Sequence, residues 1–433
     1  MTAIRQMRPQ PSLAFREEQA RPKPDKAWKR FRNYWLFANS FMMINPGVLL
    51  GLGSLNSVER FLFLLTGIAY LRTRKPDWTN LGLFGGIVVL TWGFGLLTSF
   101  PDFSWFRYAQ AIISFFAVMS FMCAWPTQRE RKLMLWTLTI VPIGMVALGG
   151  VYQLGGIGSV LAHDYTGVTR LQGNSIPAFL AAAGFAGSIA AAFLTTLFDR
   201  RCIVLTAINL AITILTATRM PSAAALIAVS VILFSGLRSG VWRLILVVYG
   251  IAVLATFFAV FGGELITRLE AGGSSGRELM WNSLLASLER YPWTGVGFGH
   301  HGLLIPESVS HFTGTVAAHN EYLRMAVELG YVGAGIFLVL FLAIFGRLLL
   351  DPRNGNRLAF FVTVAMYLMD SYSDNTITAT SCFMILVAGL CGVALADPIH
   401  QKKREAPVAM TGWAGPQAMN GNPRVRAARR VTS

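Results

Sequence analysis

Long apolar segments alternate with short polar ones along most of the chain. A helix rises 1.5 Å per residue, so about 20 apolar residues cross the hydrocarbon core of a membrane. The segments of approximately this kind are 34–54, 58–72, 79–99, 107–125, 133–153, 176–198, 202–218, 220–237, 242–262, 322–346, 358–373 and 376–396. The pattern predicts an all-α polytopic integral membrane protein with about twelve transmembrane helices. Segment 58–72 is short, and Pro46 interrupts the first segment, so the division of 34–72 is the least defined.

The composition supports this fold class. Hydrophobic residues make up 54% of the 433 residues and charged residues only 13%, about half of the globular average of about 25%. A soluble domain with so few charges could not cover its surface. The composition therefore excludes a soluble enzyme, a disordered chain and a nucleic-acid-binding domain. The four cysteines lie inside apolar segments, which predicts buried thiols and not disulfides or metal ligands.

The basic residues predict the orientation in the membrane. The segments that share a side with the N-terminus hold 29 of the 37 Lys and Arg residues, including every Lys. Cytoplasmic loops carry such an excess, so we expect both termini in the cytoplasm. The predicted regions are a basic tail 1–33, helices over 34–262, a large periplasmic loop 263–321, helices over 322–396 and a basic tail 397–433 whose composition is typical of disorder.

The opposite side carries the long loops, at about 154–175 and 263–321, and five of the six histidines. Loops that a scaffold holds in place often carry function, so we expect the chemistry on this side. Ser275 and Glu278 have capping-box spacing before apolar residues at helical spacing, which predicts an amphipathic helix on the membrane surface. Arg277 falls in its first turn. A helix N-terminus with a guanidinium suits phosphate, although a surface arginine of a capped helix has the same spacing.

Three other positions combine chemistry with an unusual location. Arg219 lies between two apolar segments that almost touch, and Arg170 lies in the smaller outer loop. A charge at membrane depth is usually partnered, but both arginines also fit interfacial snorkelling. His319 stands where the large loop re-enters the membrane. Histidine titrates near neutral pH and accepts protons from hydroxyl groups, but an interfacial histidine is also often structural or merely exposed.

The glycines between Gly295 and Gly299 alternate as in a nucleotide-binding loop, but nothing around them is strand-like. They favour a tight turn or a close backbone approach. The histidines that follow, His300 and His301, are interpreted as loop structure. Together with His311 they do not match a metal-ligand spacing, and the outer loops contain no DxD pair, so we predict no metal and no cofactor. Asp370 and Asp374 flank the last outer turn in a pattern that predicts exposed carboxylates and no proton relay.

Several motifs together resemble the O-antigen ligase/polymerase superfamily, over roughly residues 205–350. These motifs are Thr218-Arg219, Gly276-Arg277 with Trp281, Pro292-Trp-Thr-Gly-Val-Gly-Phe-Gly299, His319-Asn320-Glu-Tyr-Leu and Glu328-Leu-Gly330. Arg170 to Asn174 is similar to a further element of the family, although a proline usually near the asparagine stands here at Pro177. In the form of its His-Asn-Glu-Tyr motif and its basic tails, the chain looks closest to exopolysaccharide polymerases of the succinoglycan type.

The resemblance implies a metal-independent glycosyltransferase of the bacterial inner membrane that acts at the periplasmic face. Its donor would be an oligosaccharide on undecaprenyl pyrophosphate. His319 would be the base, and Arg219 and Arg277 would hold the pyrophosphate. Substrate contacts would come from Arg170, Asn320, Glu328 and Trp281. A polymerase accepts another lipid-linked repeat unit and would work beside a flippase and a chain-length regulator. The alternatives are an O-antigen ligase, which accepts the lipid A core, and a polysaccharide transporter or flippase.

Overall fold

The computed structural model describes residues 26–236 and 277–395, apart from 53–54, 164–167 and 314, together with isolated positions between 240 and 255. In chain order its helices are α1 (Lys26–Ile44), α2 (Pro46–Leu49), α3 (Leu55–Thr73), α4 (Trp78–Leu97), α5 (Trp105–Met119), α6 (Gln128–Leu154), α7 (Pro177–Leu197), α8 (Ile203–Leu215), α9 (Arg219–Gly236), α10 (Arg277–Arg290), α11 (Glu307–Thr313), α12 (Glu321–Leu350), α13 (Arg357–Asp370) and α14 (Thr380–Val393). Strands β1 (Leu161–His163) and β2 (Thr169–Leu171) pair antiparallel between α6 and α7, with Ala162 opposite Arg170.

Every predicted apolar segment except 242–262, most of which lies outside the described residues, overlaps a helix. Within the described part of the chain, six helices are long and apolar enough to cross a membrane: Trp78–Leu97, Trp105–Cys123, Gln128–Leu154, Pro177–Leu197, Arg219–Gly236 and Glu321–Leu350. These findings support an all-α membrane protein. The number of twelve spans and the periplasmic side of the large loop stay predictions.

The first helix begins inside segment 1–33, which was predicted as a cytoplasmic tail, while the start of the membrane-spanning region stays a prediction. Helix α1 begins at Lys26, and its buried positions Phe31, Trp35, Ala38 and Met42 recur at helical spacing. From the sequence alone the helix was expected to begin only after these basic residues. They lie on the opposite face of an amphipathic helix, and such a pattern resembles a basic tail. The interruption near Pro46 is real, since α1 ends at Ile44 and Pro46 begins the short helix α2.

Helix α7 lies at the centre of the bundle and contacts α6, α8, α9 and α14. Its residues from Leu180 to Leu194 are all buried, and most are alanine or glycine. Small residues let helix backbones approach closely, which is how helices associate without a hydrophobic driving force in lipid. A Cβ at Gly187 would lie 2.4 Å from Asn209 Oδ1 of α8, so this approach leaves no room for a larger residue.

The basic loops that were assigned to the cytoplasm meet at one end of the bundle, which we call the inner end. Arg74 Nε lies 3.1 Å from Glu130 Oε2, and Arg347 and Arg353 lie 3.6 and 3.5 Å from Asp77. Loops 72–77, 126–132 and 347–357 are thus joined by ion pairs. This clustering agrees with the charge bias on which the orientation was predicted.

The loops assigned to the outer side meet at the opposite end, which we call the outer end. Thr98 Oγ1 donates to the Gly295 carbonyl at 2.7 Å, and the Glu321 amide donates to the Ser371 carbonyl at 2.8 Å. Helix α12 runs between the two ends, since it begins at Glu321 and carries Arg347 in its last turn. Every candidate site residue that the structure describes belongs to an element of the outer end.

Helix α12 consists of two helical parts, 321–329 and 331–350, because the backbone at Gly330 is not helical. It kinks at Gly330, where φ is 69°. Backbone groups on either side of the kink do not bond within the helix, and they bond instead to the glycine-containing loop 292–297. Val296 and Gly297 donate to the carbonyls of Val327 and Glu328, and Tyr331 donates to the Pro292 carbonyl. Residues 331–350 would extend about 30 Å, which matches a membrane core, so we expect this part of α12 to be the crossing.

The glycines of this loop are explained by the same contact. A Cβ at Gly295 would lie 2.4 Å from the Glu328 carbonyl carbon, and one at Gly330 would lie 2.5 Å from the Trp293 carbonyl carbon. Both residues also have a positive φ. The predicted close backbone approach is therefore confirmed. The loop accompanies a helix kink and has no strand beside it among the described residues.

Candidate active site

His319 lies immediately before α12 at the outer end. Its φ is 49°, a left-handed conformation that costs about 1–3 kcal/mol for a residue with a side chain and is common at functional sites. Its side chain is 23% exposed, and Nδ1 lies 3.5 Å from Asp374 Oδ1. The ring is thus held at one edge by a carboxylate, while part of it reaches the surface.

Asn320 holds His319 in place through the helix cap. Its Oδ1 accepts from the Leu323 amide at 3.0 Å, and the residue is almost fully buried. The prediction that Asn320 contacts substrate stays untested. The cap alone accounts for an asparagine here, because it fixes where α12 begins and hence where His319 points.

The turn after α13 was interpreted wrongly from the sequence. Asp370 is fully buried and not exposed, whereas Asp374 is 20% exposed and lies beside His319. The sequence did not identify Asp374 as a partner of His319, because 55 positions separate the two residues. Their proximity depends on the packing of α12 against this turn, where the Glu321 amide bonds Ser371.

Helix α10 of the large loop reaches His319 through Trp281. The Trp281 indole donates to the carbonyl of Ala318 at 2.8 Å, and its ring lies 6.5 Å from that of Tyr372. Arg277 lies one helical turn before Trp281, and residues four apart share a helix face. Ser275, the proposed cap, lies outside the described residues.

The predicted amphipathic helix is confirmed, but its apolar face packs on protein. Met280, Leu284 and Leu288 are buried in a small outer core with Val296 and Val327. This core also contains Ile305 and Ala318, and it joins α10 to the first turns of α12. Leu285, which was expected on the same face, is 45% exposed. The outer core fixes α10 against the part of α12 that follows His319.

Arg170 and Arg219 form a second group at the outer end. Arg170, in β2, donates from Nε to the Thr216 carbonyl at 2.9 Å. Thr216 belongs to the turn between α8 and α9, where Ala217 has a φ of 51°. Arg219 is exposed and begins α9 at the end of the same turn. Two arginines far apart in sequence are therefore brought to one turn.

The packing of α9 against α13 places the two groups at the same rim. Asn356, which caps the start of α13, donates to the hydroxyl of Ser235 near the end of α9 at 2.8 Å. Because α9 and α13 pack together in opposite directions, the start of α9 and the end of α13 lie at the other end of the pair. Arg219 is therefore on the same side as the Asp374 turn and His319.

Several charged residues surround the start of α12, and Glu321 and Arg324 among them were not predicted as site residues from the sequence. Arg324 is buried, pairs with Glu321 and donates to the Thr378 hydroxyl at 2.7 Å. Glu328 is also fully buried, and its Oε1 lies 2.6 Å from His301 Nδ1. The predicted substrate contact of Glu328 is untested. Because Glu328 is buried and His301 is partly exposed, a substrate would contact His301 and not Glu328 directly.

The remaining outer histidines have separate roles. The His300 ring is buried, stacks on Phe103 at 4.7 Å and accepts from the Ser104 amide at Nε2, which confirms the interpretation as loop structure. His311 is 79% exposed near Glu307. In the part of the chain that the structure describes, no three His, Cys, Asp or Glu residues group as metal ligands.

Comparison with known proteins agrees with the resemblance. Residues 202–338 match the family model described as O-antigen ligase, which supports the predicted O-antigen ligase/polymerase superfamily. The matched residues include Arg219, helix α10 and His319. It indicates ligase- or polymerase-type activity of a membrane glycosyltransferase. A search of curated proteins finds no match to the chain.

Proposed function

We propose that this protein of the O-antigen ligase/polymerase superfamily is an exopolysaccharide polymerase. It would join undecaprenyl-pyrophosphate-linked oligosaccharide repeat units at the periplasmic face of the bacterial inner membrane, with both termini in the cytoplasm. The observation that carries the proposal is the shared rim. A histidine beside a carboxylate lies at one position of the outer end, and two arginines beside the turn between α8 and α9 lie at another.

The reaction needs a base for the acceptor hydroxyl. A sugar hydroxyl is a poor nucleophile until its proton has an acceptor, and histidine serves this role near neutral pH. With Nδ1 of His319 towards Asp374, Nε2 remains for the hydroxyl proton. Asp374 is a positioning residue in this scheme, because it acts by holding the imidazole ring and stabilising its charged form. The acceptor oxygen then bonds to the anomeric carbon of the donor.

The bond from the anomeric carbon to the lipid pyrophosphate breaks in the same step. Negative charge develops on the departing group, and preorganised donors that meet this charge lower the barrier. Arg219 and Arg277 would supply these donors, since guanidinium groups bind phosphate oxygens through two parallel hydrogen bonds. Arg170 lies in β2 and donates to the Thr216 carbonyl, so it would contact the donor beside the turn that precedes Arg219. Trp281 would hold α10 over the junction of sugar and lipid.

The second candidate is an O-antigen ligase, because the family model that matches carries this description. A transporter or flippase is less well supported. Its charged residues would lie near the middle of the membrane at broken helices, whereas the candidate residues here gather at one end. The polymerase would depend on a flippase that delivers its lipid-linked units and on a regulator of chain length.

The choice of acceptor tests this proposal. We expect the purified protein in vesicles to form polymer from lipid-linked repeat units alone, as judged by a ladder of products on a gel. A ligase would leave these units unchanged until lipid A core is added. Transfer that occurs only with lipid A core would overturn the polymerase assignment in favour of the ligase.

The second prediction concerns metals. We expect EDTA treatment of the purified protein to leave the rate of glycosyl transfer unchanged, because arginines take the place of a divalent cation at the pyrophosphate. The measurement is the initial rate before and after chelation. Loss of activity that one specific metal restores would refute the prediction and direct attention to His300, His301 and His311.

A further inference from the structure

A cavity of about 160 Å³ lies beside α12 at the outer end of the bundle. Most of its wall is apolar, and the polar residues Glu321 and Ser371 stand at its upper edge. The apolar wall includes Met325, Phe337, Phe341, Leu368 and Ile377. A cavity of similar volume, about 150 Å³, holds a molecule of benzene in a protein interior. This one therefore has room for a five-carbon isoprene unit.

The upper edge of the cavity belongs to the candidate active site. The Glu321 amide donates to the Ser371 carbonyl at 2.8 Å, and Glu321 is the second residue after His319. The Glu321 carboxylate is paired with Arg324, so it does not present an unpaired negative charge to a phosphate. The upper edge of the cavity is therefore two residues from His319.

The wall continues along α12 from the outer end into the part that crosses the membrane. Glu321 and Met325 precede the kink at Gly330, whereas Phe337 and Phe341 follow it. Gly335 also lines the cavity, and a Cβ placed there would have no heavy atom within 4 Å. The cavity is thus partly open at Gly335, within the apolar part of α12 that is predicted to cross the membrane.

We propose that this cavity binds an early isoprene unit of the donor's polyprenyl chain. The inference rests on the proposed function, since it takes a lipid-linked sugar as donor. In the donor, two phosphate groups separate the anomeric carbon from the lipid, so the chain must enter the membrane beside the reaction centre. In the acceptor, an oligosaccharide separates the reacting hydroxyl from its lipid. The cavity at the rim therefore fits the donor chain.

Two glycines of α12 provide a matched pair of substitutions. Gly335 lines the cavity, and Gly346 lies about three turns further along the same helix face, outside it. Neither glycine has a heavy atom within 4 Å of the Cβ position, so a side chain can start at both without a clash at Cβ. Leucine also has a higher helix propensity than glycine, so we expect both variants to fold.

The experiment compares a long polyprenyl donor with a donor whose diphosphate carries only a methyl group, which leaves the cavity empty. Gly335→Leu should raise KM for the long donor at least about tenfold, because a single methylene in an apolar pocket is worth about 10- to 200-fold. KM for the short donor should not change. Gly346→Leu should match the wild type with both donors. Equal KM values in all three proteins, or an equal rise in both variants, would overturn the inference.

A binding measurement separates this inference from the proposed function. A photoreactive polyprenyl diphosphate without sugar should label the α12 segment that contains Phe337 and Phe341 in vesicles of ordinary phospholipid. Unlabelled polyprenyl diphosphate should compete, and Gly335→Leu should reduce the labelling while Gly346→Leu should not. This result would stand even if no glycosyl transfer were found. Labelling that added phospholipid removes equally well would mean that acyl chains fill the cavity, which would contradict the inference.

Discussion

His319→Ala should lose most polymer formation. General-base catalysis is worth about 10²–10⁴-fold, and His319 combines partial exposure at the rim with a carboxylate at 3.5 Å. The measurement is the initial rate of product formation by purified protein with lipid-linked donor. Membrane insertion and yield should equal those of the wild type, because the side chain is not part of the buried core.

His311→Ala is the matched control, since His311 lies in the same loop region and is 79% exposed. It should retain the wild-type rate. His300→Ala is not a suitable control, because its buried ring accepts from the Ser104 amide and its loss leaves that amide without a partner. A His319→Ala protein that inserts normally and polymerises at nearly the wild-type rate would show that another group accepts the proton.

Arg219→Lys and Arg277→Lys should each lower the rate by about 10- to 100-fold, since a lost hydrogen bond to a charged group costs about 1.5–3 kcal/mol. Lysine keeps the positive charge but cannot bind phosphate oxygens through two parallel hydrogen bonds. The two residues begin α9 and α10, where the helix N-termini also favour an anion. Arg290→Lys, in the last turn of α10, is the control and should have little effect.

Donor binding distinguishes the role of the arginines from that of the histidine. In a competition assay with labelled lipid pyrophosphate, His319→Ala should bind like the wild type, while both arginine variants should bind more weakly. Wild-type rates and wild-type binding for both lysine variants would remove pyrophosphate binding as the role of these residues. Departure of the lipid would then depend on other groups at the rim.

Much of the fold could be predicted from hydropathy because a membrane requires long apolar helices. The pattern was least informative where charges lie on a helix. Lys26 to Asn33 are helical because Phe31 packs in the core, yet their basic residues resemble a tail. The kink at Gly330 could not be predicted from periodicity, because the apolar pattern continues through it.

The candidate site could be predicted only in part, because the sequence does not show which distant residues pack together. Residue chemistry and motif spacing identified Arg219, Arg277 and His319. They did not reveal Asp374, whose role depends on the turn after α13 packing against the start of α12. Nor did they reveal that Asp370 is buried, because the two aspartates of one short turn look alike in sequence. Long-range packing determines which polar groups face the rim.

The most direct test of the account is the stoichiometry of the reaction. Purified wild-type protein with lipid-linked repeat units should release one polyprenyl pyrophosphate for each new glycosidic bond, with the lipid quantified by mass spectrometry and the bonds by the length of the polymer. This ratio follows if the acceptor oxygen displaces the pyrophosphate directly. Polymer growth without release of polyprenyl pyrophosphate, or release without a new glycosidic bond, would contradict the account.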